Sequence, residues 1–208
     1  PISFFNQKLD KQVLKYFKIK SKKRANLNPW KKITKIVLNT KKIVNIAIIG
    51  KYVNLKDAYK SLDEALIHGG ISNKVKVNLI RIESDKLKVN QIRKQLKNIS
   101  GLLIPGGFGK RGTEGKISAI KYARENKIPF LGICFGMQMA IIEFARNKLK
   151  IKKAGSSELD KNCYPVIGLI DEWDNRGKII KGTDKDLGGT MRLGLYEAKL
   201  RNNSAIKK

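Results

Sequence analysis

The sequence predicts an α/β fold with a doubly wound, mostly parallel and open β-sheet. From residue 43 onward, short apolar segments alternate with segments of helical periodicity, which is typical of consecutive βαβ units. Residues 43–49 form an apolar run that is broken only by Asn45 and ends at Gly50, as expected for a central parallel strand. Glycine-rich or cysteine-containing turns follow the predicted strands, at the edge where such sheets bind ligands.

The alternation predicts the elements in order along the chain. Strands are predicted at residues 43–49, 74–82, 101–104 and 128–133, and helices at residues 57–68, 89–98, 113–126 and 137–147. The Gly69-Gly70 pair predicts the C-terminal cap of the first of these helices. Beyond residue 150 the pattern is irregular. Two paired strands are predicted there at residues 165–170 and 178–181, with polar turns around Asp174-Asn175, and a further strand start is predicted within residues 187–194.

Residues 1–42 differ from the rest of the chain because they show no alternation of strands and helices. One short amphipathic helix is predicted at residues 9–17. The remainder is basic and polar, with Asn28-Pro29-Trp30 in its middle. We therefore expect a linker, or the tail of a preceding domain.

The composition is strongly basic, with 45 Lys and Arg against 17 Asp and Glu and a net charge of +28. The basic residues are spread over the whole chain and do not alternate with aromatic residues, so we disfavour nucleic-acid binding but keep it as an alternative. The sequence contains no apolar run of about 18 residues, so it does not predict a membrane span. The two cysteines, Cys134 and Cys163, form neither a disulfide framework nor a metal site, and a reducing cytoplasm is expected.

The residues Gly132-Ile133-Cys134-Phe135-Gly136 join the fourth predicted strand to the helix that follows. This Gly-x-Cys-x-Gly pattern has the form of a nucleophile elbow in which Cys replaces Ser. The N-terminus of a helix favours a thiolate, and the Phe135 N–H can stabilise an oxyanion. The alternative interpretation is a buried structural cysteine in an apolar segment.

A cysteine nucleophile also needs a second oxyanion donor and a general base. Gly106-Gly107 follows the third predicted strand and lets backbone N–H groups approach an intermediate closely. The only histidine, His68, is predicted at the end of a helix on the opposite side of the sheet, so we do not expect it to be the base. Either the catalytic machinery is incomplete within this sequence, or Cys134 is not catalytic.

Two further polar residues are candidates for substrate contact. Gln138 lies four residues after Cys134, on the same helix face, where its amide can recognise another amide. Glu158 follows Gly155-Ser156-Ser157 in a predicted loop, where its carboxylate can pair with an ammonium group. Ordinary solvated side chains would explain both residues equally well.

These motifs resemble the class I (triad) glutamine amidotransferases, which carry Gly-x-Cys-x-Gly at such an elbow and Pro-Gly-Gly-Phe-Gly about 25 residues earlier, here at residues 105–109. Within that class, further segments are similar to the CTP synthase family: residues 1–20, 50–53, 57–61, 109–115 and 189–194. The resemblance implies a flavodoxin-like sheet that is incomplete at its C-terminal side. It also implies that residues 1–42 are the tail of a synthetase domain plus a linker, and that residues 43–208 belong to the amidotransferase domain.

The resemblance further implies the roles of individual residues. Cys134 would attack the side-chain amide of glutamine, with the N–H groups of Gly107 and Phe135 as the oxyanion hole. Gly107, Gln138 and Glu158 would hold glutamine. Phe108 and Arg111 would lie near GTP, the activator of the family, and Lys51-Tyr52 would open a mobile lid. No metal ligand or cofactor is implied within the chain itself.

For the complete protein, the resemblance implies a homotetramer that uses ATP with Mg²⁺, UTP and glutamine. Ammonia from glutamine would pass to the synthetase domain and convert UTP to CTP. The family takes its catalytic His and Glu from a His-Pro-Glu motif, which we expect downstream of residue 208. We therefore expect an internal piece of the protein that is inactive alone, the alternative being a noncatalytic, truncated glutaminase-like domain.

Overall fold

The computed structural model describes residues 1–21, 23, 25–51, 53, 55, 57–170, 172–175, 178–181, 195, 197–204 and 207. The chain forms two compact units, Pro1–Ile167 and Gly168–Lys208. Among the described residues, no helix is both long enough and apolar enough to cross a membrane.

The first unit is organised around a four-stranded parallel sheet, which confirms the predicted fold class. Its strands are β1 (Ile43–Gly50), β2 (Lys76–Glu83), β3 (Gly101–Ile104) and β4 (Phe130–Gly132), in the spatial order β2-β1-β3-β4. The chain moves from β1 to β2 in one direction and from β3 to β4 in the other. This reversal places a crevice beyond the carboxyl ends of β1 and β3, where α/β sheets bind ligands.

Within the described part of the chain, four helices flank the sheet: α4 (Lys60–Ser72), α5 (Ile92–Gln95), α6 (Thr113–Glu125) and α7 (Phe135–Asn147). Helix α4 packs beside β2, whereas α6 packs against α5, α7 and the strands β3 and β4. Alternate residues of β1 face opposite sides, and both sides are covered: Ala47 and Ile49 join the core under α6 and α7, and Ile48 is equally buried.

An ion pair joins α6 to α7. Glu143 is only 1% exposed, and both its oxygens accept hydrogen bonds from the Arg124 guanidinium, the shortest at 2.8 Å. The hydrogen bond from the side chain to Glu143 raises the pKa of Arg124. The pair therefore fixes the orientation of the helix that follows Cys134.

The N-terminal segment is more helical than its sequence indicated. It contains α1 (Ile2–Asn6), α2 (Leu9–Tyr16) and α3 (Asn28–Asn39). Helix α2 confirms the predicted amphipathic helix, whereas α3 was not predicted. Pro29 suits the first turn of a helix, and Trp30, Ile33 and Val37 recur at helical spacing.

The predicted cap at Gly69 and Gly70 was also wrong, because α4 continues through both residues to Ser72. A Cβ atom on Gly70 would lie 2.6 Å from a methyl carbon of Val77 and 2.8 Å from the Val75 carbonyl oxygen. This glycine therefore serves the close approach of the helix to β2 rather than a helix end. The helix predicted at residues 89–98 is reduced to a short 3₁₀ turn and the four residues of α5.

Strand β4 is shorter than predicted. It covers three of the six residues expected, and Leu131 is 55% exposed. The reason is its position at the edge of the described sheet, with β3 on one side only.

The predicted pairing of residues 165–170 with residues 178–181 was wrong. Strand β6 (Tyr164–Ile167) instead pairs in parallel with β5 (Ala154–Ser156). In the second unit, β7 (Glu172–Asn175) pairs antiparallel with β8 (Lys178–Lys181), so Asp174 and Asn175 lie in a strand rather than in a turn. Residues 187–194 lie outside the described residues.

Candidate functional site

Cys134 occupies a strained turn between β4 and α7. Its φ of 51° and ψ of −106° lie outside the regions that side-chain-bearing residues ordinarily adopt. Such a conformation costs on the order of 1–3 kcal/mol and concentrates at functional sites. The Cys134 side chain is exposed, so the alternative of a buried structural cysteine was wrong.

Each of the two glycines of the motif is required by a different steric contact. A Cβ atom on Gly132 would lie 2.5 Å from the carbonyl carbon of Gly136, and one on Gly136 would lie 2.2 Å from the carbonyl oxygen of Ile104. Neither position accepts a side chain unless the backbone moves. The Gly-x-Cys-x-Gly pattern therefore allows α7 to start directly against β3 and β4, with Cys134 at the tip of the turn.

The loop after β3 lies beside Cys134. A Cβ atom on Gly106 would be 3.5 Å from the Cβ of Cys134, which is van der Waals contact. The N–H groups of Gly107 and Phe135 have no hydrogen-bond acceptor among the described residues. An exposed thiol beside a glycine loop can attack a carbonyl carbon, and backbone N–H groups without an acceptor can stabilise the oxyanion that forms.

Lys51 and Glu158 hold this loop from two sides. Lys51 is 9% exposed, and its ammonium donates to the carbonyl oxygens of Phe108 and Gly109, the latter at 3.0 Å. The Gly109 N–H donates to Oε1 of Glu158 at 3.2 Å. The Arg111 guanidinium pairs with Asp85 at 3.3 Å and donates to the Lys51 carbonyl oxygen at 3.4 Å.

Among the described residues, two lysines approach the buried ring of Phe135. The Nζ of Lys116 lies 4.8 Å from the ring centre, and the Nζ of Lys51 lies 5.8 Å from it. Burial, with the positive charge of Lys51 as a second cause, lowers the pKa of Lys116 to about 8. Burial and the neighbouring Arg111 lower the pKa of Lys51.

The structure brings most of the sequence-predicted site residues to one end of the sheet. Gly107, Phe108 and Arg111 lie on the loop after β3, Glu158 contacts that loop, and Cys134 and Phe135 follow β4. Gln138 is partly exposed one turn into α7, and its N–H donates to the Cys134 carbonyl oxygen.

His68 lies at the end of the sheet opposite Cys134. It is near the C-terminus of α4, which leads into the start of β2, whereas Cys134 follows the carboxyl end of the parallel strand β4. Tyr52 lies outside the described residues. Sequence reasoning missed Lys116 and Asp85, because no local pattern distinguishes them from the many other charged residues.

Comparison with known proteins agrees with this geometry. The model of the glutamine amidotransferase class-I family matches residues 54–207. The chain is 76% identical over its whole length to the CTP synthase of Pelagibacter ubique, covering 39% of that protein, and 49% identical over 99% of its length to that of Gluconobacter oxydans, covering 38%. It thus spans about two-fifths of these relatives.

A solved structure provides a second comparison. The glutaminase domain of the Trypanosoma brucei CTP synthase with bound acivicin is 36% identical, with a TM-score of 0.55, over 59% of this chain and 48% of that one. The parallel sheet, the strained cysteine turn and the sequence match agree: the chain belongs to the class-I glutamine amidotransferase family.

Proposed function

We propose that this chain is the glutaminase part of a CTP synthase, with residues 43–208 in the amidotransferase domain and residues 1–42 as the synthetase tail and linker. The observation that carries the proposal is the exposed, strained Cys134 beside the Gly106-Gly107 loop. The 76% identity to the Pelagibacter ubique enzyme over the whole chain supports the specific assignment.

In the proposed reaction, the Cys134 thiolate attacks the side-chain amide carbon of glutamine. The N–H groups of Gly107 and Phe135 stabilise the oxyanion of the tetrahedral intermediate. Protonated nitrogen leaves as ammonia, and water hydrolyses the glutamyl thioester to glutamate. Gly107, Gln138 and Glu158 hold the substrate, with the Glu158 carboxylate paired to its ammonium group.

The proton transfers need a general base with an orienting partner. His68 cannot serve, because α4 carries it to the opposite end of the sheet. We propose that this pair is the His and Glu of the complete protein, outside residues 1–208. In that protein, ammonia would react in the synthetase domain, where ATP with Mg²⁺ activates UTP.

The remaining assignments are also proposals. GTP would activate the enzyme through the surface that contains Phe108 and Arg111. Phe108 is half exposed, and Arg111 belongs to the cationic group around Lys51. We expect a homotetramer in the cytoplasm.

The test is a chimeric enzyme in which residues 1–208 replace the matched segment of the Pelagibacter ubique CTP synthase. We expect this chimera to hydrolyse glutamine and a chloromethyl-ketone analogue of glutamine to label Cys134. Cys134→Ala should abolish both, and Cys163→Ala should change neither. Labelling of Cys163, or glutamine hydrolysis that survives Cys134→Ala, would refute the assignment.

A further inference from the structure

Both halves of the proposed oxyanion hole are joined by one buried cation. Gly107 belongs to the loop after β3, and Phe135 belongs to the first turn of α7. The Lys51 ammonium contacts both: it donates to two carbonyl oxygens of the loop and lies 5.8 Å from the centre of the Phe135 ring. Lys51 itself follows β1, so a third element sets its position.

We propose that Lys51 is a positioning residue that holds the Gly107 and Phe135 N–H groups in register for the oxyanion. This inference rests on the proposed glutaminase function and deepens it. Lys51 does not touch the substrate in this role; it acts through the carbonyl oxygens of Phe108 and Gly109, which follow Gly107 directly.

The loop geometry supports this role. The peptide between Phe108 and Gly109 is held from two sides, since its carbonyl oxygen accepts from Lys51 and its N–H donates to Glu158. The loop has two glycines at positive φ nearby, Gly109 at 77° and Gly112 at 71°, so its backbone is permissive on its own. The Lys51 ammonium donates to two carbonyl oxygens of this loop and so restricts its backbone. The restriction acts next to Gly107, whose N–H must point at the substrate.

The surroundings keep Lys51 in place. Its side chain is almost fully buried, its carbonyl oxygen accepts from Arg111, and the carboxylates of Asp85 and Glu158 partly offset the positive charges of Arg111 and Lys116. A buried ammonium requires such partners, because an unpaired charge in this position would be strongly unfavourable.

The experiment compares two reactions of Cys134 in the chimera. Glutamine hydrolysis forms an oxyanion, whereas alkylation by iodoacetamide is a direct displacement at carbon and forms none. We expect Lys51→Met to lower kcat for glutamine by about 10–100-fold, part of the 10²–10³-fold effect of deleting a donor outright. KM and the rate of Cys134 alkylation by iodoacetamide, read by peptide mass spectrometry, should stay within about twofold.

The matched control is Lys121→Met, which removes an exposed lysine from α6 and should leave both reactions unchanged. All variants are assayed with and without GTP, and the loss is expected in both conditions. If Lys51→Met is poorly folded, Lys51→Gln, which retains a hydrogen-bond donor, is measured in its place and should show an intermediate kcat.

A Lys51 variant with normal kcat would overturn the inference. So would an equal loss of iodoacetamide reactivity, or a defect confined to assays that contain GTP. An unsubstituted chimera without any Cys134-dependent hydrolysis would instead refute the proposed function, so the two failures are distinguishable.

Discussion

The Nζ atom of Lys116 lies 4.8 Å from the centre of the Phe135 ring, and both side chains are buried. This contact joins α6 to the first turn of α7. It also places an ionisable group with a lowered pKa inside the core, which has a measurable consequence for stability.

Lys116→Met should change how stability depends on pH. Below pH 8, Lys116 is protonated in both states, and the folded state carries the full cost of burying the charge. Between about 8 and the usual value of 10.5, the unfolded chain holds a proton that the folded chain has released, so the free energy of unfolding rises with pH. The stability gained by Lys116→Met should therefore be largest below pH 8 and decline towards pH 10.5.

Urea unfolding of the 208-residue chain between pH 7 and pH 10.5 measures this difference. Lys121→Met, on the exposed side of the same helix, is the control for the loss of a lysine from α6. A pH-independent difference for Lys116→Met would contradict the prediction.

Removing Arg124 should destabilise the domain strongly. Arg124→Ala leaves the carboxylate of Glu143, 1% exposed, without its partner, and such a loss costs about 3–5 kcal/mol. Arg124 also lies 3.7 Å from Glu125, which is half exposed. Glu125→Gln removes only that surface contact and should cost about 0–1 kcal/mol. Equal effects in urea unfolding would show that the buried pair is not the important one.

Two glycine substitutions should change the stability of the fold in opposite directions. Gly136→Ala would put a Cβ atom 2.2 Å from the Ile104 carbonyl oxygen and should destabilise the fold by about 1–3 kcal/mol, with loss of glutamine hydrolysis in the chimera. A Cβ atom on Gly69, in α4, would have no heavy atom of the described residues within 4 Å, so Gly69→Ala should stabilise the fold by about 0.5–1 kcal/mol. Thermal unfolding distinguishes them, and a stable, active Gly136→Ala variant would disprove the steric reading of the elbow.

Glu158→Gln should weaken glutamine binding with little effect on the loop. The amide oxygen can still accept from the Gly109 N–H, but the charge that pairs with the substrate ammonium is lost. A hydrogen bond to a charged group is worth about 1.5–3 kcal/mol, so KM should rise about 10–100-fold. Steady-state kinetics of the chimera test this, and an unchanged KM would remove Glu158 from the proposed substrate site.

The 208-residue chain alone should not turn over glutamine at a useful rate. Its one histidine, His68, lies at the end of the sheet opposite Cys134. For the same reason, His68→Ala in the chimera should leave kcat within about twofold. Ammonia release assays measure both, and robust turnover by the isolated chain that is lost in His68→Ala would overturn the arrangement.

The sequence by itself was sufficient for the parallel sheet, for the helices after β3 and β4, and for the cysteine elbow. These features depend on local periodicity and on glycines at tight turns, which are visible within a few residues. The cysteine elbow could be predicted because Gly132 and Gly136 are required by contacts that the turn itself creates. Strand and helix order then predicted that Cys134 and Gly107 lie at the same end.

Tertiary structure alone decided the surroundings of the site and several details of the fold. Lys51, Asp85 and Lys116 come from three separate segments. Only packing brings the two lysines to the Phe135 ring and the Asp85 carboxylate close enough to act on both. Gly70 resembles a helix cap in sequence, but the approach of β2 makes it an interior residue of α4. Strand β6 has a β pattern that does not specify its partner. In each case the deciding contact is between residues that are distant in sequence, so no local sequence pattern predicts it.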